Sequence, residues 1–198
     1  MATRSEGKLR ELRPMLEQAG YAPIDLTEAG IVATADEDGI EAYDTFEANA
    51  LAKARHFHRL SRLPTIADDS GLVVDALAGA PGVHSKRWSG RVELSGQALD
   101  DANNAMLLTA LKNSAVRTAR YVCVAAFVRE GRELTARGET EGEVTQLPRG
   151  VEGFGYDPYF WSQDLMATFG ESSIDAKAGV SHRGRAVRAL LGEIAGGR

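Results

Sequence analysis

Cysteine is almost absent from this sequence: Cys123 is the only one among 198 residues. A single thiol cannot form a disulfide within the chain, and it lies in the apolar run ARYVCVAAFV. We therefore expect an inert core residue in a reducing compartment. Apolar runs of membrane-spanning length are also absent, and the segment MATRSEGKLREL is too polar for a secretory signal. These absences predict a cytoplasmic protein with no membrane partner.

Positive charge is not in excess either. The chain has 23 lysine and arginine residues against 28 aspartate and glutamate residues, a net charge of −5. Broad electrostatic binding to nucleic acid needs a surplus of cations, so we expect no nucleic-acid partner. A polyanionic ligand would have to be neutralised by local basic residues or by a metal ion. The length allows one sizeable core, and we predict a single domain over residues 1–198.

Helical and strand patterns alternate along the chain. SEGKLRELRPMLEQAG predicts a helix capped by Ser5, and DTFEANALAKARHFHRL predicts one with Asp44 and Glu47 at capping-box spacing. LDDANNAMLLTALKN and SHRGRAVRALLGEIAG predict two further helices. LPTIADDSGLVVDAL predicts a short strand, a polar turn and a second strand, while ARYVCVAAFVRE and RELTARGETEGEV predict strands paired across Glu130–Gly131. The fold class is therefore mixed α/β.

Two adjacent carboxylates, Asp68 and Asp69, follow the first of these strands. Apolar residues flank them closely on both sides, and buried like charges repel each other and lose hydration. A hard divalent cation such as Mg²⁺, which carboxylates bind in sites for phosphate substrates, would relieve that repulsion. A solvated turn, or a cap on the next element, explains the same pair equally well.

Cations are crowded at the start of the last helix, where free N–H groups already carry partial positive charge. His182, Arg183 and Arg185 lie in its first turns. An anion docked at the helix start would relieve this crowding. The alternative is that Arg183 and Arg185 point to solvent or pair with distant acids.

The stretch EGFGYDPYF combines glycines with aromatic residues. Gly153 and Gly155 permit close backbone approach, and an aromatic ring on such a loop can stack on a flat base. The alternative is a turn whose Phe154, Tyr156 and Phe160 fill the core.

Four blocks in this order, TFEANALAKA, ADDSGLVVDALAGAPGV, GFGYDP and SHRGRA, resemble the inosine triphosphate pyrophosphatase family. The resemblance extends from about Thr3 to the last helix. It implies a mixed, strongly twisted central sheet flanked by helices, with an active-site cleft between two lobes. It also implies a homodimeric enzyme that hydrolyses purine nucleoside triphosphates with deaminated bases (dITP, ITP, XTP and dXTP) to the monophosphate and pyrophosphate.

The resemblance implies a metal and phosphate site. Mg²⁺ is expected on three carboxylates: Glu41, Asp68 and Asp69. Asp69 is the expected proton acceptor, while Lys8 and Lys53 are expected to stabilise developing negative charge. The residues expected to bind the triphosphate side of the substrate are Thr3, Arg4, Ser5, Lys8, Lys53 and Ser70. Two of them also have a simpler interpretation. Lys53 lies at the edge of the apolar stripe of its helix, where a lysine can extend its ammonium into water, and the Arg4 guanidinium can lie in solvent.

The resemblance also implies a purine pocket. The residues expected there are Phe154, Gly155, Tyr156, Asp157, Lys177, Ser181, His182 and Arg183. A donor aimed at the 6-keto oxygen, from Arg183 or a nearby backbone N–H, would face another donor in adenine and so reject it.

Three departures from the family pattern leave other functions open. Only Met1 and Ala2 precede Thr3, where the family has a full strand, so that strand is missing or very brief. Ser5 stands where asparagine is usual, and Ala178 replaces another asparagine. One alternative is a nucleotide-binding module with weak or no turnover. Another is a Maf-like pyrophosphatase for other nucleotides, which the GFGYDP and SHRGRA blocks disfavour.

Overall fold

The structure is a computed structural model that describes residues 1–34, 37 and 39–196. Helices begin and end the chain, and a third helix separates the first strand from the other four. The helices are α1 (Glu6–Gln18), α2 (Phe46–Ser61), α3 (Gly96–Ala110), α4 (Ile174–Val180) and α5 (His182–Gly196). The strands are β1 (Thr65–Val74), β2 (Thr118–Arg129), β3 (Arg132–Val144), β4 (Phe160–Ser162) and β5 (Ala167–Thr168). The predicted mixed α/β class is confirmed.

The five strands form one sheet in the order β1-β2-β3-β4-β5. The predicted turn at Glu130–Gly131 joins β2 to β3, and Gly131 has the positive φ of 71° that such a tight connection favours. β3 pairs antiparallel with β4, with Glu143 opposite Trp161, and β4 pairs antiparallel with β5. Sheet neighbours are therefore chain neighbours throughout.

One prediction about the sheet is wrong. The stretch from Thr65 to Val74 is a single ten-residue strand rather than two strands around a polar turn. Asp68 and Asp69 lie inside β1, and both are buried. Their burial is possible because side chains from other segments supply cations and hydrogen-bond donors to them, as described below.

Helix starts follow local capping chemistry. Ser5 caps α1 as predicted, because its side chain accepts a hydrogen bond from the Lys8 N–H. The cap of α2 is Thr45, whose side chain accepts from the Ala48 N–H, so the predicted box built on Asp44 and Glu47 is wrong. Before α1, the Ala2 N–H donates to the Ile66 carbonyl at 2.7 Å.

The chain divides into two compact units. Unit 1 comprises Met1–Asp69, Cys123–Gly138 and Arg183–Arg198, and unit 2 comprises Ser70–Val122 and Glu139–His182. Each unit has an apolar core of its own. The core of unit 1 includes Leu12, Leu16, Phe127, Val187 and Leu190, and the core of unit 2 includes Leu72, Leu107, Tyr121, Phe160 and Phe169. In the part of the chain that the structure describes, no helix is both long and apolar enough to cross a membrane.

Candidate active site

In unit 1, Asp68 is the centre of a buried ionic cluster. Its Oδ2 accepts from Lys8 Nζ at 3.0 Å and from Arg183 Nε at 3.1 Å. The Cys123 thiol also approaches Oδ2, at 3.8 Å. Burial alone would raise the pKa of Asp68, but the charges of Lys8, Arg183 and Lys53 outweigh it and hold the pKa well below its usual range. Asp68 is therefore ionised, and the solvated turn considered from the sequence is ruled out.

The pKa of Asp69 is shifted in the direction opposite to that of Asp68. Burial raises the pKa of its carboxyl, and although the charge of Lys8 opposes this, the net shift is upward. Its Oδ2 accepts one hydrogen bond from Asn49 Nδ2 at 3.0 Å. Two carboxyls that are adjacent in sequence thus have pKa values displaced in opposite directions. In such pairs the carboxyl with the lowered pKa commonly stays ionised and binds positive charge, while the one with the raised pKa commonly transfers a proton.

Glu41 and Lys53 form an ion pair beside these carboxylates. Lys53 is buried and its ammonium pairs with Glu41, so it is not a lysine that extends from the edge of the apolar stripe into water. Burial lowers the pKa of Lys53, yet the charges of Glu41 and Asp68 reverse the effect and raise it overall. The pKa of Glu41 is lowered, because Lys53 and Lys8 outweigh the effect of its burial. Both groups are charged at neutral pH.

The start of α1 carries several of the residues that are expected to bind phosphate, and local hydrogen bonds join them. Thr3 Oγ1 accepts from the Ser5 N–H at 3.2 Å, and Ser5 in turn caps the helix that carries Lys8. The Arg4 guanidinium is paired with Glu37, at 2.7 Å and 3.1 Å, rather than lying alone in solvent. Ser70 follows Asp69 within β1 and is half-buried.

Arg183 corrects an expectation. Its side chain is only 1 % exposed, and its guanidinium donates to Asp68 and to Glu11. Burial would lower the pKa of Arg183, but Glu11 and Asp68 raise it. The structure therefore holds this guanidinium on two carboxylates of unit 1. Of the two alternatives for Arg183, pairing with distant acids is the correct one.

Sequence reasoning missed two residues of this cluster. Glu11, one turn after Lys8 on α1, binds Arg183. Asn49 on α2 uses its Oδ1 for the Tyr43 N–H at 2.9 Å, and its Nδ2 for the Tyr43 carbonyl at 3.1 Å and for Asp69. A sequence signal existed for Asn49, since it is a polar residue on the apolar stripe of its helix.

The donor chemistry of unit 1 fits a hard divalent cation. Asp68 Oδ1 is buried and has no hydrogen-bond partner among the residues that the structure describes. Glu41 and Asp69 add two further carboxylates. No ready-made group of three or more metal-binding side chains occurs within residues 1–34, 37 and 39–196. Carboxylate oxygens are ligands that Mg²⁺ prefers, and the ion commonly takes one or two of them and completes its shell with water and substrate phosphate.

In unit 2, the Gly153–Asp157 loop is fixed by its own aspartate. Asp157 Oδ2 accepts from the Phe154 N–H at 2.8 Å and from Lys177 Nζ at 2.6 Å. Gly153 has a φ of 80°, and a Cβ there would lie 2.1 Å from Asp157 Oδ2, so only glycine fits. Lys177 Nζ also lies 5.1 Å from the ring centroids of Phe154 and Phe169, which indicates cation–π contacts.

The aromatic residues of this loop have different roles. Tyr156 and Phe160 are buried in the core of unit 2, so the core-filling alternative holds for these two. The Tyr156 hydroxyl donates to the Ser85 carbonyl at 2.8 Å, and burial, together with the charge of Asp100, raises its pKa. Phe154 is half-buried, and it differs in this from Tyr156 and Phe160.

The other predicted base-pocket residues of unit 2 are buried. The His182 ring stacks on Tyr121 with centroids 4.5 Å apart and an interplanar angle of 6°. Ser181 ends α4, its N–H donating to the Lys177 carbonyl at 2.8 Å. The structure thus brings Phe154, Asp157 and Lys177 into contact, while His182 packs against an aromatic residue of β2.

Two further residues missed by sequence reasoning lie on α3. Asp100 Oδ2 accepts from the Gly155 N–H at 2.9 Å, and Asn104 Nδ2 donates to the Gly155 carbonyl at 3.0 Å. Their four-residue spacing places them on one face of the helix. That spacing is common in helices, so it gave no usable signal by itself.

Comparison with known proteins gives matches over almost the whole chain. Residues 1–193 match the Ham1 family. The dITP/XTP pyrophosphatase of Burkholderia pseudomallei (strain K96243) is 45% identical over 200 residues, covering 98% of this chain and 93% of that protein. The dITP/XTP pyrophosphatase of Geobacter sulfurreducens is 44% identical, covering 96% of this chain and 92% of that protein.

Solved structures agree with this match. The Staphylococcus aureus Ham1 protein superposes with a TM-score of 0.82 at 31% identity, covering 100% of this chain and 97% of that one. The crystal structure of the dITP/XTP pyrophosphatase from Mycobacterium abscessus gives a TM-score of 0.71 at 41% identity, covering 96% of each chain. Both units therefore lie within the matched region.

Proposed function

This chain belongs to the Ham1 family, and on that premise we propose that it hydrolyses purine nucleoside triphosphates with deaminated bases. The substrates are dITP, ITP, XTP and dXTP, and the products are the nucleoside monophosphate and pyrophosphate. The observation that carries the proposal is the arrangement of the Asp68–Asp69 pair: Lys8 and Arg183 bind Asp68 Oδ2, whereas the Asn49 amide binds Asp69 Oδ2. A protein that only binds nucleotides does not need this division.

We assign the proton-transfer role to Asp69. The attacking water gives its proton to the Asp69 carboxylate as its oxygen bonds to the α-phosphorus. The bond from that phosphorus to the α–β bridging oxygen breaks, and pyrophosphate leaves. A carboxyl whose pKa is raised by burial is a better base than an ordinary aspartate.

The fixed charges of unit 1 complement the triphosphate. Lys8 and Lys53 provide ammonium groups for phosphate oxygens and for the negative charge that develops on the leaving group. Glu41, Asp69 and Oδ1 of Asp68 are the oxygens that would hold Mg²⁺. When bound, the ion neutralises phosphate charge and polarises the phosphoryl group. Asp68 Oδ2 is committed to Lys8 and Arg183, so it orients these two cations.

Unit 2 supplies the purine site. We assign stacking on the base to Phe154, which Lys177 and Asp157 hold in place. Because the Arg183 guanidinium is engaged with carboxylates, a backbone N–H of the loop is the better candidate for the donor to the 6-keto oxygen. We further propose that the protein is a homodimer, which the family resemblance supports, and that it is cytoplasmic, which its single cysteine supports.

The test is pyrophosphate release from dITP, XTP, dATP, dGTP and dTTP with Mg²⁺, repeated with a chelator. Asp69→Asn is the key variant, and Asp101→Asn, on the exposed face of α3, is its control. We expect fast, metal-dependent release from dITP and XTP that Asp69→Asn abolishes and Asp101→Asn retains. Binding of dITP without release would indicate a nucleotide-binding module, and preferred hydrolysis of dTTP would indicate a Maf-like enzyme.

A further inference from the structure

Helix α3 binds both polar backbone groups of one residue in the purine-binding loop. The Gly155 N–H donates to Asp100 Oδ2 at 2.9 Å, and the Gly155 carbonyl accepts from Asn104 Nδ2 at 3.0 Å. Asp100 and Asn104 are one helical turn apart, so a single rigid helix face makes both contacts. We call this pair of side chains the α3 clamp.

The α3 clamp fixes more of the loop than Gly155 itself. Each peptide group is planar and trans, so the N–H of Gly155 and the carbonyl of Phe154 point in opposite directions. The Gly155 carbonyl and the Tyr156 N–H are related in the same way. Holding both groups of Gly155 therefore sets the planes of two consecutive peptides. Their other polar groups, the Phe154 carbonyl and the Tyr156 N–H, point away from the side chains of the clamp.

The loop needs such an external constraint. Gly155 has a φ of 63°, and a Cβ built there would meet nothing within 4 Å, so no side-chain packing limits its backbone. Glycine loses more conformational freedom on ordering than any other residue. The Phe154 carbonyl already accepts from the Asp157 N–H at 3.2 Å. The clamp and this turn bond together define one loop conformation.

Burial makes the contact of Asn104 specific. Its side chain is 6 % exposed, and a reversed amide would place Oδ1 against the Gly155 carbonyl, acceptor against acceptor. Oδ1 itself has no hydrogen-bond partner within the described residues, so the contact with Gly155 is the one that orients this amide. Asp100 is half-buried, and burial raises its pKa while the Gly155 N–H opposes that rise.

We propose that Asp100 and Asn104 are positioning residues that set base selectivity, by holding the Gly155 peptides in the one orientation that suits a 6-keto purine. The inference rests on the proposed function. The donor left by the clamp is the Tyr156 N–H, because the Gly155 N–H is bound to Asp100. A fixed N–H pairs with a 6-keto oxygen and faces another donor in a 6-amino group. A loop whose peptides can rotate would instead present a carbonyl to adenine. Loosening the clamp therefore costs selectivity.

The experiment compares kcat/KM for dITP and dATP in Asp100→Ala, Asn104→Ala and Asp100→Asn. The matched control is Asp101→Ala, which removes the adjacent exposed carboxylate of α3. We expect each clamp alanine variant to lower the dITP/dATP ratio about tenfold, the effect of one lost hydrogen bond to a buried group. Asp100→Asn keeps an acceptor for the Gly155 N–H and is expected to retain most of the ratio, as is the control.

Two further readouts separate positioning from general damage. Hydrogen exchange at the Gly155 amide should accelerate in Asp100→Ala and not in Asp101→Ala. The Mg²⁺ concentration for half-maximal activity should stay unchanged, since the carboxylates of unit 1 are untouched. If Asn104→Ala does not fold, Asp100→Ala carries the same test.

An unchanged ratio in a folded clamp variant, or an equal fall in Asp101→Ala, would overturn the proposal. Failure of the proposed function gives a different pattern, because the wild-type chain would then not hydrolyse dITP. In that case the ratio of dissociation constants for dITP and dATP replaces the kinetic ratio. An equal ratio in wild type and Asp100→Ala would again reject the clamp.

Discussion

The two units hold their functional segments by different forces. In unit 1, Asp68, Glu11 and Glu41 are matched by Lys8, Arg183 and Lys53, all within one buried or half-buried cluster. In unit 2, the buried ion pair of Asp157 with Lys177 is accompanied by aromatic rings and by hydrogen bonds to the backbone of the loop. Ion pairs therefore dominate the contacts of the functional segments in unit 1, whereas hydrogen bonds and ring contacts that fix a loop conformation dominate in unit 2.

A buried asparagine in each unit sharpens the comparison. Asn49 uses its oxygen and its amide group fully, joining the Tyr43 backbone to Asp69. Asn104 uses its amide group on Gly155 and leaves Oδ1 without a partner among the described residues. The same residue type thus binds the proposed catalytic carboxylate in one unit and a loop backbone in the other.

The largest expected effect comes from a change in unit 1 alone, and it is a loss of activity. Asp69→Asn removes the proton acceptor, and loss of a general base typically lowers kcat about 10²- to 10⁴-fold. The loop of unit 2 is unchanged, so dITP should bind within a few-fold of the wild-type affinity. Pyrophosphate release and equilibrium nucleotide binding measure the two halves of this prediction. Full activity in Asp69→Asn would remove Asp69 from the mechanism.

The next effect concerns stability within unit 1. Glu11→Ala leaves the buried Arg183 guanidinium without one of its carboxylates, and breaking a buried ion pair costs about 3–5 kcal/mol. The control is Glu133→Ala, which breaks the exposed Arg55–Glu133 pair and should cost about 0–1 kcal/mol. Urea denaturation measures both. Equal costs would mean that burial does not distinguish the two pairs.

A smaller effect is expected at Asn49. Asn49→Ala releases Asp69 and the Tyr43 backbone together, and outer groups that orient metal ligands are typically worth about 10- to 100-fold in metal affinity. The thermal shift produced by added Mg²⁺ reports this without turnover. Asn103→Ala is a comparison from unit 2, because Asn103 is equally buried but bonds Ser89 and Lys86 instead. A wild-type shift in Asn49→Ala would contradict the assignment.

The pH dependence of stability separates the two adjacent aspartates by the sign of their contributions. The folded-state pKa of Asp68 is lowered, so its stabilisation is present above the ordinary aspartate pKa and is lost as the pH falls through the folded value. The pKa of Asp69 is raised, so its ionisation costs stability as the pH rises through that value. At pH 7, Asp68→Asn should lower the free energy of unfolding, and Asp69→Asn should leave it unchanged or raise it. Chemical denaturation across pH 3–7 checks both signs.

The sequence predicted features whose causes are local. The Ser5 cap and the turn at Glu130–Gly131 depend on residues a few positions apart. The polar turn at Asp68 and Asp69 was wrong because the groups that neutralise these carboxylates come from distant segments. Arg183 and its acceptor Glu11 are 172 residues apart in the chain.

The missed residues share that cause. Asn49 and Asp69 are separated by 20 residues, and Asn104 and Gly155 by 51. No periodicity relates such pairs, because the sheet and the helix packing bring them together. Motif resemblance pointed to residues expected to touch the substrate, whereas the residues that hold those groups in place became visible only in the folded chain.

The single thiol has a practical consequence. Cys123 is fully buried against Asp68, and burial, with the negative charge of that carboxylate, raises its pKa. Burial and the raised pKa therefore both disfavour the thiolate that reacts with alkylating reagents in the folded protein. The rate at which an alkylating dye labels Cys123 in the native protein therefore measures how often the ionic cluster opens, and no engineered probe is needed.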